Sequence, residues 1–453
     1  MSLYQKLNIK YNDFLRDKHF GEIFSGSVLV FGAKIIATFI GLVTSVIVAR
    51  YYGAEVVGVL ALVNSFFAVV TVFTLMGTNT SILRLIPEYT VKYSYASAYK
   101  LYKKTRLVVI LISVILGIGL FFLSDWIAGF VFDRPDLGFL FMIASGVLVF
   151  KTLQNFSMQG IRAVQRIKAF ALIQLITPIV YLILLIIFTF AYYNKYVPVY
   201  LQFINAIILA LVSLWIITKT FKSKADSKEA IEIPSFKEIL SIPFPMFLTA
   251  SIFVIMGQLA TLMIGMFEAE EEVGYYATAL KIATLTTFVL QAINTVVAPK
   301  FSELYHQGKI DDLFEVAKKS TKLIFWSALP LILIFVVFGK WIIIQLYGVE
   351  FEKSFPILLI LSVGLFVNAI AGSVGYFMNM CGYEKTLRNV MFVSIIVAIV
   401  VNLILIPKIG VFGAAIATTI TQVLWNITLT IFIKKKFSHS FLYLPGLNRI
   451  KKL

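Results

Sequence analysis

The chain has 453 residues, of which 60% are hydrophobic and only 14% are charged, and its mean hydropathy is +0.91. A soluble protein of this length needs more polar side chains than this to cover its surface, so a soluble enzyme, a coiled coil and a disordered chain are excluded. The net charge of +17 does not indicate nucleic acid, because in a membrane protein the positions of basic residues matter more than their sum. Composition therefore predicts an all-α polytopic membrane protein.

Twelve apolar runs are long enough to cross a bilayer as a helix, which takes about 20 residues. They lack the alternation of transmembrane barrel strands. In chain order, the predicted spans 1 to 6 cover residues 25–49, 55–76, 106–124, 137–157, 169–192 and 196–218. The predicted spans 7 to 12 cover residues 243–266, 273–297, 321–339, 355–378, 388–406 and 411–433.

Basic residues concentrate on one side of these spans. With both termini placed inside, and with Arg106, Lys322 and Arg388 at the inner edges of spans 3, 9 and 11 counted as inner, 31 of the 40 Lys and Arg lie on the inner side. Six fall in outer loops and three fall in span interiors. This bias follows the positive-inside rule. The sequence therefore predicts a multi-pass protein of the cell (inner or cytoplasmic) membrane with both termini in the cytoplasm. Residues 3–20 are compatible with either a surface-lying amphipathic helix or a flexible tail.

The two halves of the chain resemble each other at a nearly constant offset of about 216 residues, which pairs Gly58 with Gly274 and Arg84 with Lys300. Each half holds six spans, so both halves have the same orientation and are related by a pseudo-two-fold axis along the membrane normal. The predicted organisation is a cytoplasmic segment 1–24, an N-lobe 25–218, a basic linker 219–242, a C-lobe 243–433 and a basic tail 434–453.

Several chemistries have no residues to support them. The sequence has no GxxxxGK[ST] phosphate loop, and its three histidines, His19, His306 and His439, lack metal-ligand spacing. Asp125, Asp133 and Asp136 fall in a short outer loop that we interpret as a solvated loop. We expect no catalytic residues, no metal and no cofactor.

Three lysines lie in the interior of predicted spans, whereas none of the 23 acidic residues does. A charge at mid-bilayer costs several kcal/mol unless it faces a cavity or a partner, so Lys34, Lys151 and Lys281 are candidates for function. The alternatives are a small-residue packing seam around Lys34 and a Lys151 that extends to the inner interface.

Polar stripes accompany these lysines on spans 1 and 8, and further polar residues lie on spans 2 and 7. We predict that these stripes line a cleft between two lobes that are packed as a V. The candidate substrate-binding residues are Lys34, Lys281, Lys151, Arg50, Thr38, Ser45, Thr284, Gln291, Gln258 and Asn64. Arg84 and Lys300, at the inner ends of spans 2 and 8, are either gate cations or ordinary interface residues, and Arg50 shares this ambiguity.

Three segments carry a family resemblance. AR-x-YG-x-x-x-x-G at 49–58, RLIPEY at 84–89 and GVFGAAIATTITQ at 410–422 resemble the polysaccharide transporters of the MOP superfamily, in particular the Wzx-type flippases of O-antigen and capsule biosynthesis. The resemblance implies a fold like that of the MATE transporters. It also implies cavity cations on spans 1, 2 and 8. Lys34, Arg50 and Lys281 match this placement, except that span 2 has no cation at mid-depth.

The resemblance implies a flippase that moves a polyprenyl-diphosphate-linked oligosaccharide to the outer leaflet by alternating access. Its partners would be membrane lipid, the lipid-linked glycan and the polymerase or ligase machinery that uses the product. The alternatives are an ion-coupled multidrug exporter, which usually requires a carboxylate within the membrane, a peptidoglycan lipid II flippase, and a membrane-bound transferase or polymerase. The short outer loops disfavour this last alternative.

Overall fold

The computed structural model describes residues 18–191, 194–224, 243–443 and 445. The predicted N-terminal segment up to residue 17, most of the basic linker and the end of the tail lie outside the described residues. Within the described ranges every regular element is a helix, which confirms the predicted all-α class.

The first half of the chain forms six long helices. They are α1 Lys18–Leu75, α2 Thr78–Lys92, α3 Tyr95–Trp126, α4 Gly138–Ala163, α5 Ile167–Ala191 and α6 Val197–Lys224. The second half forms α7 Pro243–Phe267, α8 Glu270–Ala283, α9 Phe288–His306, α10 Ile310–Tyr347, α11 Ser354–Ala371, α12 Val374–Met380, α13 Glu384–Ile409 and α14 Val411–Phe437. We call α1 to α6 the N-lobe and α7 to α14 the C-lobe.

Eleven stretches of the described residues are long and apolar enough to cross a membrane, and the first of them, Val28–Leu75, has 48 residues. One crossing needs only about 20 residues, so this stretch contains two. The two halves of α1 join at Gly53, whose φ of 79° lies in a region that favours glycine. Spans 1 and 2 are thus the halves of α1 on either side of Gly53, and the total is twelve, as predicted.

Two predicted spans differ from the observed helices in a way that matters for the site. Span 8, predicted as one helix over 273–297, is broken into α8, a 3₁₀ segment Thr284–Thr287 and α9. Span 6 was predicted to end at 218, but α6 continues to Lys224 and includes the first basic residues of the predicted linker. Spans 3 and 9 are also longer than predicted, because α3 and α10 extend in amphipathic turns beyond their apolar runs.

The two lobes pack together at one end and have separate cores at the other. We call the shared end the outer end, following the predicted orientation; it holds one apolar core with residues of both lobes, such as Val56 and Val273. At the inner end Tyr102 belongs to an N-lobe core and Phe301 to a separate C-lobe core. At the inner end the lobes therefore share no core, although Phe73 and Phe247 still touch edge to face between them.

Candidate functional site

A cavity of about 370 Å³ lies beneath the shared outer core, between the N-lobe helices and α8. Both halves of α1 contribute to its wall, so these halves lie side by side as a hairpin. Its polar lining residues are Thr44, Ser45, Asn64, Lys151, Thr177, Tyr181, Gln202, Asn205, Thr278 and Lys281. Two of the three lysines found within predicted spans thus face the same space, and no carboxylate lines this cavity among the described residues.

The two cavity lysines have different surroundings. Lys281, on α8, donates a 2.7 Å hydrogen bond to the backbone oxygen of Gly41 on α1, and this bond crosses between the lobes. Lys151, on α4, is partly buried, and within the described residues its ammonium makes neither a hydrogen bond nor an ion pair. Burying an ammonium group without a counter-charge costs free energy, so Lys151 and Lys281 together favour an anionic ligand.

Lys34 lies outside the cavity lining but also reaches across the lobes. Its ammonium donates to Oε1 of Gln291 on α9. The amide of Gln291 is oriented by its own Nε2, which donates to the hydroxyl of Thr287 at 3.1 Å. Lys34 and Lys281 therefore form two cross-lobe bonds between α1 and the broken helix α8–α9.

Side-chain amides form the wall of the cavity opposite α8. Gln202 on α6 donates to Asn64 on α1, and Asn64 donates back at 3.4 Å. Asn205, one turn further along α6, donates to the carbonyl of Thr177 at 3.3 Å. Pro178 lies in the following position of α5 and lines the cavity as well. These amides give the cavity hydrogen-bonding capacity beside its positive charge.

Two buried acceptor atoms at the cavity have no partner. Asn205 is 8% exposed and its Oδ1 is unsatisfied, and Thr278 is 2% exposed with an unsatisfied hydroxyl. Both residues line the cavity, but these two atoms are themselves shielded from it. The cavity thus presents cations to anionic oxygens, and side-chain amides such as that of Gln202 to hydroxyl groups.

Arg50 does not reach the cavity. From the outer end of the first half of α1 it donates to the carbonyl oxygens of Ile344, Gln345 and Leu346, the last turn of α10. The Ile344 oxygen also accepts from the Gly348 amide at 3.0 Å. All three carbonyls lie at the negative end of the helix dipole, so a cation is favourable there. The structure places Arg50 as a cross-lobe cap at the outer end, in keeping with the gate alternative.

Further contacts join the lobes near Arg50. The backbone amide of Ala54 donates to Glu350 at 3.0 Å, and Arg134 pairs with Glu270 at 3.0 Å. Within the N-lobe, Lys195 in the loop between α5 and α6 donates to Glu55, and this bond raises the pKa of the Lys195 ammonium. Cations and carboxylates of both lobes therefore close the outer end.

The closest approach of the lobes is a glycine pair, Gly58 on α1 and Gly274 on α8. A Cβ atom at Gly58 would lie 1.7 Å from the backbone oxygen of Glu270, and one at Gly274 would lie 2.1 Å from that of Ala54. Only glycine fits at either position. The pair relates equivalent positions of the two repeats, so the pseudo-two-fold axis passes between them.

Reversing the charge of Arg134 is expected to weaken the outer closure. Arg134 and Glu270 are partly buried, with side chains 31% and 11% exposed. Arg134→Glu would therefore place a second carboxylate beside that of Glu270, where little water screens their repulsion. We expect Arg134→Glu to reduce transport about tenfold or more, and the double variant Arg134→Glu, Glu270→Arg to recover most of it. The measurement is transport by the purified, reconstituted variants. Reversing the surface pair Lys319 and Glu315 is the control. If the double variant recovers no transport, the Arg134–Glu270 pair has no role in the closure.

The predicted gate cations at the inner end pair within their own helices. Arg84 lies 3.7 Å from Glu88, and Lys300 lies 2.8 Å from Glu303. Both are exposed local pairs of the kind that contributes little energy. Among the described residues they make no cross-lobe ion pair, so the geometry favours the interface alternative for both.

The other predicted stripe residues mostly make helix-internal or inter-helix bonds. Thr38 and Thr284 donate to the carbonyls of Lys34 and Lys281 on their own helices. Ser45 lines the cavity and lies 3.0 Å from the Tyr347 hydroxyl. Gln258 accepts from Ser65 across the lobes at 2.9 Å.

Sequence reasoning missed the amides of α6. Gln202 and Asn205 are three residues apart on an otherwise apolar span, a spacing that places them on one helix face. That pattern was visible in the sequence and would have indicated a polar wall. The cross-lobe partners Glu270 and Glu350 left no such signal, because they lie far in sequence from the residues they contact.

Two family profiles and several known proteins match this chain. A profile of the family described as polysaccharide biosynthesis protein matches residues 23–305, and the MatE profile matches residues 245–404. An uncharacterized membrane protein of Methanocaldococcus jannaschii is 22% identical over 410 residues, which is 85% of this chain and 79% of the relative. The probable low-salt glycan biosynthesis flippase Agl15 of Haloferax volcanii is 24% identical over 182 residues, which is 39% of each chain.

A solved structure of the lipid II flippase MurJ in an inward closed conformation has the same fold, with a TM-score of 0.70 over 92% of this chain and 89% of that one, at 20% identity. The polysaccharide biosynthesis profile covers more than half of the chain. The chain therefore belongs to the polysaccharide biosynthesis protein family, the polysaccharide transporters of the MOP superfamily.

Proposed function

We propose that this protein is a flippase that moves a polyprenyl-diphosphate-linked oligosaccharide from the cytoplasmic to the outer leaflet by alternating access, for cell-surface polysaccharide biosynthesis. The observation that carries the proposal is the cavity that holds Lys151 and Lys281 with no carboxylate among its described lining residues. Two ammonium groups match a diphosphate, whose oxygens form strong charge-assisted hydrogen bonds with lysine.

The neutral part of the cavity supports a glycan next to the diphosphate. Sugar hydroxyls can form hydrogen bonds with the side-chain amides of Asn64 and Gln202, which line the cavity. The volume of about 370 Å³ equals roughly a dozen water molecules at ~30 Å³ each, so it suits the diphosphate and its first sugar rather than a whole oligosaccharide. The remaining glycan would extend from the cavity along the boundary between the lobes.

The relatives support the same cargo class. Agl15, which covers only part of this chain, is described as a flippase of glycan biosynthesis. The product, a lipid-linked glycan on the outer leaflet, would be used there by polymerase or ligase machinery. A multidrug exporter would need a negative group for its cationic cargo, and the described cavity offers the opposite charge.

The direct test is transport in proteoliposomes. A fluorescent polyprenyl diphosphate carrying a short glycan is placed in both leaflets, and its exposure on one face is followed by a membrane-impermeant quencher. The proposal expects movement across the bilayer that depends on the protein. Transport of organic cations without lipid-linked glycan would reject it, and transport restricted to lipid II would support the peptidoglycan alternative.

Removal of the lysines is expected to weaken the binding of cargo. A charge-assisted hydrogen bond contributes about 1.5–3 kcal/mol, so Lys281→Ala and Lys151→Ala should each lower affinity about tenfold to a hundredfold, and Lys34→Ala should impair transport as well. Arginine at these positions should retain more function than glutamine, because it keeps the charge. The measurement is glycolipid binding and transport at matched membrane insertion.

The matched control is Lys340→Ala, which removes an exposed lysine that pairs with Glu352 outside the cavity. It should behave as the wild-type protein. Full activity of both cavity-lysine variants would show that Lys151 and Lys281 only pack, and would remove the main support for an anionic cargo.

A further inference from the structure

The broken helix α8–α9 is tied to the first half of α1 on both sides of its break. On the outer side Lys281 of α8 donates to the Gly41 oxygen, and on the inner side Lys34 of α1 donates to Gln291 of α9. The 3₁₀ segment Thr284–Thr287 lies between these two bonds. A short 3₁₀ stretch within a long helix is often a hinge.

Threonine side chains account for this break. The hydroxyls of Thr284, Thr286 and Thr287 each donate to the backbone oxygen three residues earlier, at 2.7–2.9 Å. Such bonds compete with the regular backbone ladder and bend helices. Three such bonds within one turn favour a bend here, and the contacts on either side help to set the angle between α8 and α9.

Both lysines have neutral acceptors in this structure. A backbone carbonyl and a side-chain amide satisfy the ammonium groups without neutralising their charge. A diphosphate oxygen carries a full negative charge and forms a stronger bond with the same ammonium. An anionic ligand can therefore displace both acceptors, whereas carboxylate partners would have competed with it.

We propose that Lys34 and Lys281 are latches that hold the hinged helix α8–α9 against α1 until the diphosphate of the cargo binds. This inference rests on the proposed function, because the diphosphate is the trigger. Binding transfers the Lys281 ammonium from Gly41 to a phosphate oxygen in the cavity. The Lys34 ammonium, which lies outside the cavity lining in this structure, turns from Gln291 toward the same diphosphate, so both cross-lobe bonds break. The inner part, α9, is then free to move about Thr284–Thr287 relative to the N-lobe.

The latch predicts opposite effects of two substitutions on pyrophosphate affinity. Gln291→Ala removes an acceptor that competes with the ligand, so it should bind inorganic pyrophosphate more tightly than the wild-type protein, by about tenfold, or 1.4 kcal/mol. Lys34→Gln should bind it more weakly. If Gln291 contacted the ligand instead, Gln291→Ala would weaken pyrophosphate binding. Calorimetric titration of the full-length protein in nanodiscs with pyrophosphate measures both.

The control for general loosening of the lobes is Ser65→Ala. Ser65 also makes a cross-lobe hydrogen bond, to Gln258, but involves no lysine. Its removal should leave pyrophosphate affinity unchanged. If Ser65→Ala tightens binding as much as Gln291→Ala, or if Gln291→Ala leaves binding unchanged or weaker, the latch is rejected.

The motion is tested separately by a distance. In a Cys381→Ser background, spin labels at Val28 on α1 and Val296 on α9, which are 54% and 65% exposed, should move apart when pyrophosphate binds. A pair within the N-lobe, Val28 and Leu172, should not. An unchanged Val28–Val296 distance with pyrophosphate bound would reject the latch alone, whereas a wild-type protein that binds no pyrophosphate would also contradict the proposed diphosphate site.

Discussion

Replacing Gly58 by alanine is expected to hold the lobes apart at the outer end and to abolish transport. The added Cβ would lie 1.7 Å from the Glu270 oxygen, and backbone atoms of two packed helices cannot yield by that much locally. The same reasoning applies to Gly274→Ala, whose Cβ would meet the Ala54 oxygen. Either variant should leave the outer side open, because only the relative position of the lobes can relieve the clash.

Accessibility of the cavity measures this effect. In a Cys381→Ser background, a cysteine at Thr278, which lines the cavity and is 2% exposed, should react with a membrane-impermeant maleimide from the outer face much faster in the Gly58→Ala protein. Gly146→Ala is the matched control, since no atom lies within 4 Å of its added Cβ. An alanine at Gly58 that supports normal transport would show that the close approach has no part in the cycle.

An inside-negative membrane potential is expected to drive cargo outward by itself. A diphosphate carries roughly two negative charges, and each gains about 2.3 kcal/mol per 100 mV on moving outward. At about 100 mV this favours the outer leaflet by about three orders of magnitude. The lysines remain in the protein and return with it, so they do not cancel the gain.

Vesicles with an imposed potassium diffusion potential, and with no proton or sodium gradient, provide the measurement. The distribution of lipid-linked glycan between leaflets should follow the sign and size of the potential. A neutral lipid-linked sugar without phosphate is the control cargo and should not respond. Movement that responds only to an ion gradient would reject the electrogenic model while leaving the flippase proposal intact.

The fold was largely predictable because its signals are local. Apolar runs and basic loops indicated twelve spans. The pairing of Gly58 with Gly274 in the sequence indicated a repeat, although their contact in the structure could not be foreseen. The break at Thr284–Thr287 was not predicted, since threonine is common in apolar spans. Its effect depends on hydroxyl bonds to the backbone, which average hydropathy does not represent.

The site was predictable only in part. A lysine in an apolar run is costly wherever it points, so Lys151 and Lys281 could be identified without a structure, and they share one cavity. Arg50, at the outer end of span 1, was also a substrate-binding candidate, but it caps the end of α10, because its partners are backbone carbonyls that composition cannot reveal. Which residues face each other across the lobes depends on packing between distant segments.

The contact between Gly58 and Gly274 has the form of an isologous homodimer interface, in which equivalent residues of two copies meet on the symmetry axis. A six-helix ancestor that assembled as a dimer would place one glycine on this axis twice, so any substitution there would affect both subunits at once. Fusion of two gene copies removes that constraint and lets the halves diverge. The hinge occurs in the second half, whereas the equivalent stretch of the first half, around residues 68–71, is regular helix. The two halves therefore keep one symmetric contact, while only the second half carries this bend.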